Sequence, residues 1–156
     1  MSKLFKEKLD TLGITLTDKQ YEQFDKFYEL LVEWNKVMNL TGITEYEEVN
    51  EKHFVDSLSI IKAIDVSKVN TVIDIGTGAG FPGIPLKIAF PHLKITLLDS
   101  LNKRIKQNNR SYGQYCHCKL DSFFRHIRHI SCTTWSHGGS KLSVWCHSIQ
   151  QILQRI

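Results

Sequence analysis

The sequence predicts an α/β fold in which helices pack on a parallel sheet. This prediction rests on a strand, a glycine loop and a helix that follow one another in the chain. Residues 71–75 are β-branched and apolar apart from Asp74, which is typical of a buried parallel strand. Three glycines follow at once at alternate positions: Gly76, Gly78 and Gly80. A Pro-interrupted apolar run over 81–90 then predicts a helix with a proline near its first turn. Strand, glycine loop and helix form the opening of a Rossmann-like βαβ unit.

A second strand is predicted over residues 94–98, and Asp99 follows it directly. In nucleotide-binding folds of this kind, an acidic side chain about 20 residues beyond the glycines accepts hydrogen bonds from ribose hydroxyls. Asp99 stands at that distance from Gly80. The glycine loop and Asp99 together therefore predict a nucleotide-type ligand more strongly than either feature alone.

The spacing of the glycines distinguishes two ligands. In the dinucleotide fingerprint G-x-G-x-x-G, the first glycine follows the strand directly, so the third would stand where this chain has Phe81. The same fingerprint can also be matched by Gly78, Gly80 and Gly83. That alignment puts Pro82 where pyrophosphate needs backbone N–H donors. The D-x-G-x-G-x-G form beginning at Asp74 favours S-adenosylmethionine, which carries a sulfonium and no phosphate. A dinucleotide and a purely structural strand–helix turn are the alternatives.

Three helices are predicted before the first strand. An apolar face predicts a short helix ending at Gly13, and a capping box over 17–20 opens a second helix. Apolar residues at helical spacing in the second helix predict core packing rather than base stacking: Tyr21, Phe24, Tyr28, Leu31 and Met38. A capping box over 44–47 opens a third helix with His53 and Asp56 on one face. A hydrogen-bonded structural role is expected for this pair, because no third residue has the spacing of a triad or metal site.

The run Gly-Thr-Gly-Ala-Gly-Phe-Pro-Gly-Ile-Pro-Leu-Lys-Ile, residues 76–88, resembles the donor loop of the rRNA small-subunit methyltransferase G family, also called glucose-inhibited division protein B. Three further segments agree in order and spacing: residues 32–41, 52–57 and 99–104. The resemblance covers residues 1–106. It implies an S-adenosylmethionine-dependent methyltransferase with a Rossmann-like fold that methylates N7 of a guanine in 16S ribosomal RNA. The implied partner is that RNA or the small ribosomal subunit.

Both the residue pattern and the resemblance predict a set of donor-binding residues: Asp74, Gly76, Gly78, Gly80, Phe81, Asp99, Ser100 and Leu101. The glycines should allow close backbone approach to the donor, and Phe81 should pack against it. Three basic residues are candidates for contacts with RNA phosphates, or else form a solvated helix start: Lys103, Arg104 and Lys106. No catalytic acid or base is assigned, because guanine N7 has a lone pair and no proton to lose.

Charge and composition change abruptly after residue 106. Residues 1–106 hold 14 basic and 15 acidic side chains, whereas residues 107–156 hold six basic and one acidic. All four cysteines and five of the seven histidines lie in the second part. The predicted organisation is therefore a helical part over 1–64, the first half of the Rossmann-like domain over 65–106, and an atypical basic Cys/His-rich tail over 107–156.

Three explanations of the tail are open. A shifted reading frame is preferred, because helical periodicity disappears and the family's next strand is not recognisable. A zinc-binding tail is a weaker alternative, because C-x-C with two lone cysteines differs from the paired knuckles of structural zinc sites. Its candidate ligands are Cys116, His117, Cys118, Cys132 and Cys146. The third is a diverged basic tail that contacts RNA.

Fold and composition carry four further expectations. Since only two strands are predicted, the chain should be poorly stable or form further helix or strand from its tail. It has no apolar run long enough to span a membrane and no signal-peptide core, so a cytoplasmic location is expected. A monomer is favoured. The alternative function is an inactive truncated remnant that keeps part of the donor site.

Overall fold

The computed structural model describes residues 2–99 and the backbone of three short segments, 117–119, 134–137 and 140–146. Two helices open the chain: α1, Lys3–Thr11, and α2, Asp18–Met38. A third helical segment, α3, spans residues 46–62 and changes its winding along its length. Its parts are α-helical Tyr46–Val49, π-helical Asn50–Val55, α-helical Asp56–Leu58 and 3₁₀-helical Ser59–Lys62. None of the helices in this described part is both long and apolar enough to cross a membrane.

The two predicted capping boxes have different outcomes. At the start of α2, Thr17 Oγ1 accepts from the Gln20 N–H and Gln20 Oε1 accepts from the Thr17 N–H, which confirms the first box. The second box, over 44–47, is wrong. Helix α3 begins at Tyr46, its N-cap residue is Glu45, and no side chain in residues 2–99 caps it. A tertiary contact decides the turn instead, because Tyr28 Oη donates to the carbonyl of Thr44 at 2.9 Å.

A 3₁₀ turn, Val66–Lys68, leads into the strands and the helix that the sequence predicts. These elements are β1, Thr71–Ile75, then α4, Gly83–Ala89, and β2, Lys94–Leu98. Three further strands follow: β3, His117–Lys119, β4, Thr134–His137, and β5, Ser140–Cys146. The order across the sheet is β3-β2-β1-β5-β4, with β4 antiparallel to β5 and the other pairs parallel.

The tail thus contributes strands that the sequence pattern did not predict. Strand β5 pairs with all of β1, from Thr71 opposite Leu142 to Ile75 opposite Cys146. Strand β3 pairs with the other free edge, on β2. Of the two expected outcomes, the tail forming strand is the one observed. The physical reason is that an unpaired parallel edge offers N–H and C=O groups that any extended backbone can satisfy.

One hydrophobic core joins the helices to the sheet. Its largest aromatic members are four buried phenylalanines from α1, α2 and α3: Phe5, Phe24, Phe27 and Phe54. The ring centroids of Phe24 and Phe27 lie 5.1 and 5.3 Å from that of Phe54. Below them, the sheet contributes Val72, Ile95 and Leu97 to the same core. Of the predicted stripe of α2, Phe24 and Leu31 are buried in the core and Tyr21 and Tyr28 pack against it, whereas Met38 is only half-buried. Helix α3 lies against the loop that follows β1.

Candidate ligand site at the ends of β1 and β2

The glycine loop, residues 76–82, connects β1 to α4. Its backbone continues the ladder to β2, because the N–H groups of Gly76 and Thr77 donate to the carbonyl of Leu98 at 2.8 and 3.1 Å. Three of its residues have positive φ: Gly76 at 75°, Gly78 at 57° and Gly80 at 102°. Side chains are strained in this region, so the alternating glycines are a backbone requirement. The loop lies at the carboxyl ends of adjacent parallel strands, where open α/β sheets bind ligands.

Close packing fixes the inner side of the loop. A Cβ on Gly80 would lie 2.1 Å from Ile84 Cδ1. A Cβ on Gly83 would lie 2.3 Å from Leu97 Cδ2 and 2.9 Å from Asp74 Oδ2. All three distances are below van der Waals contact. Glycine at position 83 therefore allows α4 to pack directly on β1 and β2, and glycine at position 80 allows the loop to pack against Ile84 of α4.

Asp74 is fully buried beneath the loop. Its Oδ2 accepts from Thr77 Oγ1 at 2.8 Å and from the Gly83 N–H at 3.0 Å, so one oxygen joins the loop to the start of α4. Among the described residues, its Oδ1 has no hydrogen-bond partner. Burial raises the pKa of Asp74 to about 7, opposed by the hydrogen bonds from Thr77 and Gly83 and reinforced by the nearby charge of Asp99. The described contacts make Asp74 a residue that shapes the loop, and its contact with a donor stays a prediction.

Gly78 and Asp99 form the outer side of the loop. Among the described residues, a Cβ on Gly78 would meet no atom closer than Gly76 O, at 4.0 Å. The Gly78 N–H donates to Asp99 Oδ2 at 2.9 Å, and Asp99 is 2% exposed. The structure thus brings together the glycine loop and the strand-end acid that the sequence pairs by spacing. That Asp99 accepts hydrogen bonds from ribose hydroxyls stays a prediction.

Phe81 lies in the core. It is 7% exposed, and its ring centroid is 4.7 Å from that of His53 and 5.2 Å from that of Phe27. His53 and Phe54 of helix α3 lie against its ring, so the aromatic core extends up to the loop. Its described ring partners are the core residues Phe27 and Phe54 and the half-buried His53, and its predicted packing against the donor stays a prediction.

Several predicted residues lie outside the described part of the chain. They are the donor-site candidates Ser100 and Leu101 and the basic candidates Lys103, Arg104 and Lys106. The side chains of the five zinc candidates also lie outside it: Cys116, His117, Cys118, Cys132 and Cys146. Within the described residues, no group of three or more His, Cys, Asp or Glu side chains is arranged to hold a metal ion.

Sequence reasoning left three contributors out of the site. Thr77 is 1% exposed and bonds to Asp74, and Gly83 accommodates α4. A short polar residue three positions after an aspartate was an available signal for the Thr77 contact. Thr41 is the third, because its Oγ1 lies 2.8 Å from His53 Nε2. That bond confirms the hydrogen-bonded role predicted for His53, although its partner is distant in sequence.

The mostly parallel sheet, the glycine loop and the strand-end acid define the class, an α/β protein with a Rossmann-like βαβ unit. A family model described as rRNA small subunit methyltransferase G matches residues 20–107, more than half of the chain. The chain belongs to this family, whose fold is that of Rossmann-like methyltransferases. The resemblance inferred from the sequence is thereby confirmed.

Curated relatives named ribosomal RNA small subunit methyltransferase G agree. Those of Lachnoclostridium phytofermentans and Brevibacillus brevis are each 60% identical over 101 residues, covering 65% of this chain and 42% of the relative. That of Lysinibacillus sphaericus is 49% identical over 132 residues, covering 80% of this chain and 56% of the relative. The last match therefore extends past residue 106. The chain spans about half the length of the curated relatives it matches.

Proposed function

We propose that this chain binds S-adenosylmethionine and belongs to an enzyme that transfers its methyl group to N7 of a guanine in 16S ribosomal RNA. Family membership supports methyl transfer to ribosomal RNA. The observation that carries the donor assignment is the bond between the glycine loop and the strand-end acid, in which the Gly78 N–H donates to Asp99 Oδ2 at 2.9 Å. An adenosine that lies against this backbone would have the strand-end carboxylate beside it for its ribose.

Charge favours this donor over a dinucleotide. Two acidic side chains, Asp74 and Asp99, are buried at the ends of the neighbouring strands. The charge of Asp99 attracts a cationic sulfonium and repels pyrophosphate, and Asp74 adds to it only as far as it ionises, because its pKa is raised to about 7. Pro82, which has no N–H, also stands where a pyrophosphate cradle needs a donor. The names of the relatives likewise give no support to an oxidoreductase.

The proposed chemistry makes few demands on acid–base groups. When bound, the donor supplies an electrophilic methyl group. Guanine N7 has a free lone pair and loses no proton, so the protein needs no general base. Its residues would act by holding the two partners in line and excluding water, which is the largest contribution available to a reaction of this kind. Accordingly we assign binding residues and no catalytic acid or base.

Calorimetric titration of the full chain with S-adenosylmethionine, and separately with NADH, tests the donor. We expect binding of S-adenosylmethionine alone. Binding of NADH without S-adenosylmethionine would overturn the assignment. S-Adenosylhomocysteine is the matched control, because it keeps the adenosine and lacks the positive charge, and we expect it to bind more weakly if charge contributes.

Transfer of a labelled methyl group to small ribosomal subunits from a strain lacking this modification tests the acceptor. We expect label at one guanine N7 and none on fully modified subunits. Donor binding without transfer would instead identify the inactive remnant. A cytoplasmic location and a monomeric state accompany the proposal, and sedimentation of the full chain checks the second.

The basic residues after β2 are proposed to contact RNA phosphates: Lys103, Arg104 and Lys106. Replacing all three with Gln should weaken subunit binding and reduce its dependence on salt, since fewer counterions are released. Donor affinity should stay unchanged. An unchanged salt dependence would show that these charges are merely solvated.

A further inference from the structure

In the connection between α2 and α3, residues 39–44 form a loop that is held by side-chain hydrogen bonds. Asn35 Oδ1 accepts from the Thr41 N–H at 2.8 Å, and Tyr28 Oη donates to the Thr44 carbonyl at 2.9 Å. Thr41 Oγ1 also accepts from the N–H of Ile43 at 3.1 Å. Connections are ordinarily the more mobile parts of a fold. Here side-chain bonds hold the 39–44 loop at several points.

His53 links this loop to the glycine loop. Its Nε2 lies 2.8 Å from Thr41 Oγ1, and its ring stacks on Phe81 with centroids 4.7 Å apart and planes at 23°. Phe81 directly follows Gly80, and its N–H donates to the carbonyl of Thr77 at 3.0 Å. A continuous series of contacts therefore runs from the 39–44 loop through one imidazole and one phenyl ring into the loop proposed to bind the donor.

The backbone around His53 departs from a regular α-helix. His53 lies in the π-helical stretch Asn50–Val55, and π turns inside helices are frequent at functional sites. Ser57 Oγ donates to the carbonyl of His53 at 2.5 Å. The neighbouring Phe54 is fully buried in the aromatic core. The imidazole is thus held at its backbone, on its ring face and at Nε2.

We propose that His53 is a positioning residue that couples the glycine loop to the 39–44 loop, and that the 39–44 loop forms the wall against which the acceptor nucleotide binds. This proposal rests on the proposed function, which names the acceptor. The loop reads Asn-Leu-Thr-Gly-Ile-Thr and carries amide and hydroxyl groups without charge. Neutral donors and acceptors recognise base edges and sugar hydroxyls, whereas phosphates are contacted chiefly by cations.

Hydrogen exchange of the ligand-free full chain tests the coupling. Thr41→Val removes the hydroxyl at nearly constant shape, and Thr41→Ser keeps it. We expect Thr41→Val to accelerate amide exchange at least threefold in both residues 39–44 and residues 76–82, and Thr41→Ser to change neither. Acceleration of residues 39–44 alone, of neither segment, or uniformly through α1 overturns the coupling.

His53→Phe supplies a second variant, because it keeps a ring against Phe81 and removes the bond to Thr41. It should loosen the 39–44 loop and leave residues 76–82 closer to wild type than His53→Ala does. If His53→Phe and His53→Ala accelerate amide exchange in residues 76–82 equally, stacking on Phe81 does not transmit the effect.

Binding of unmodified small ribosomal subunits tests the acceptor wall. Thr41→Val should lower subunit affinity about tenfold, and Thr41→Ser should restore it. Unchanged affinity in Thr41→Val overturns this role. If wild type binds neither S-adenosylmethionine nor the subunit, the proposed function fails, whereas the coupling is still decided by exchange in the ligand-free chain.

Discussion

The inner and outer sides of the glycine loop each combine a glycine with an aspartate. On the inner side, Gly80 is packed against Ile84, and Asp74 bonds to the loop from a fully buried position with a raised pKa. On the outer side, a Cβ on Gly78 would meet no described atom closer than 4.0 Å, and Asp99 accepts the Gly78 N–H. Glycine thus permits close packing at position 80, whereas at position 78 we propose that it lets the donor approach the backbone. Inner substitutions should therefore lower stability, and outer substitutions should lower donor affinity.

The largest effect on stability is expected for Gly80→Ala. The new Cβ would overlap Ile84 Cδ1, and alanine would be strained at a φ of 102°. Overpacking and backbone strain together should lower the free energy of unfolding by about 2–5 kcal/mol. Urea unfolding of the full chain measures the change.

Ile84→Ala provides the control for this substitution. If the clash contributes, the double variant Gly80→Ala, Ile84→Ala should be at least about 1 kcal/mol more stable than the sum of the single effects. Strict additivity would show that backbone strain alone acts at Gly80.

A pH-dependent effect is expected for Asp74→Asn. Because the folded-state pKa of Asp74 is raised to about 7, the folded chain binds this proton more tightly than the unfolded chain. The resulting stability is fully present below about pH 4 and is lost as the pH rises toward 7, at up to about 1.4 kcal/mol per pH unit. The asparagine oxygen can still accept from Thr77 and Gly83.

Unfolding of both proteins at pH 5 and pH 8 measures this effect. We expect Asp74→Asn to gain stability relative to wild type between the two pH values. A constant difference would mean that Asp74 titrates at an ordinary pKa, which would remove the electrostatic contrast between the two sides of the loop.

Asp99→Ala should act mainly on binding. Loss of a charged acceptor should weaken S-adenosylmethionine by about 1.5–3 kcal/mol. Asp99→Asn is the matched control, because its oxygen can still accept from the Gly78 N–H, and an intermediate affinity is expected. Calorimetric titration measures both, and wild-type affinity in Asp99→Ala would remove this residue from the donor site.

Gly78→Ala should have the smallest effect on stability. Among the described residues, its Cβ would meet no atom closer than 4.0 Å, so the expected cost is that of alanine at a φ of 57°, about 1–2 kcal/mol. Donor affinity should nevertheless fall at least tenfold, because the methyl group would occupy the ligand's side. A stability loss equal to that of Gly80→Ala would contradict the distinction between the two sides.

Local patterns predicted much of this molecule. Strands β1 and β2 have the predicted bounds, and the box at Thr17 caps α2. These features depend on residues close in sequence. The start of α3 at Tyr46 was missed because a bond from Tyr28, a distant residue, decides that turn. The strands of the tail were missed because an open sheet edge can pair with a segment that has no strand pattern.

The sequence by itself determined the glycine loop, the spacing to Asp99 and the family. Positive φ angles demand glycine locally, and a strand-end acid is recognisable from its distance to the loop. Only the tertiary structure decided that Phe81 is core and that Gly80 faces inward while Gly78 faces outward. It also decided the raised pKa of Asp74. These properties depend on burial, and burial is set by contacts such as that of His53 with Phe81, which join segments far apart in the chain.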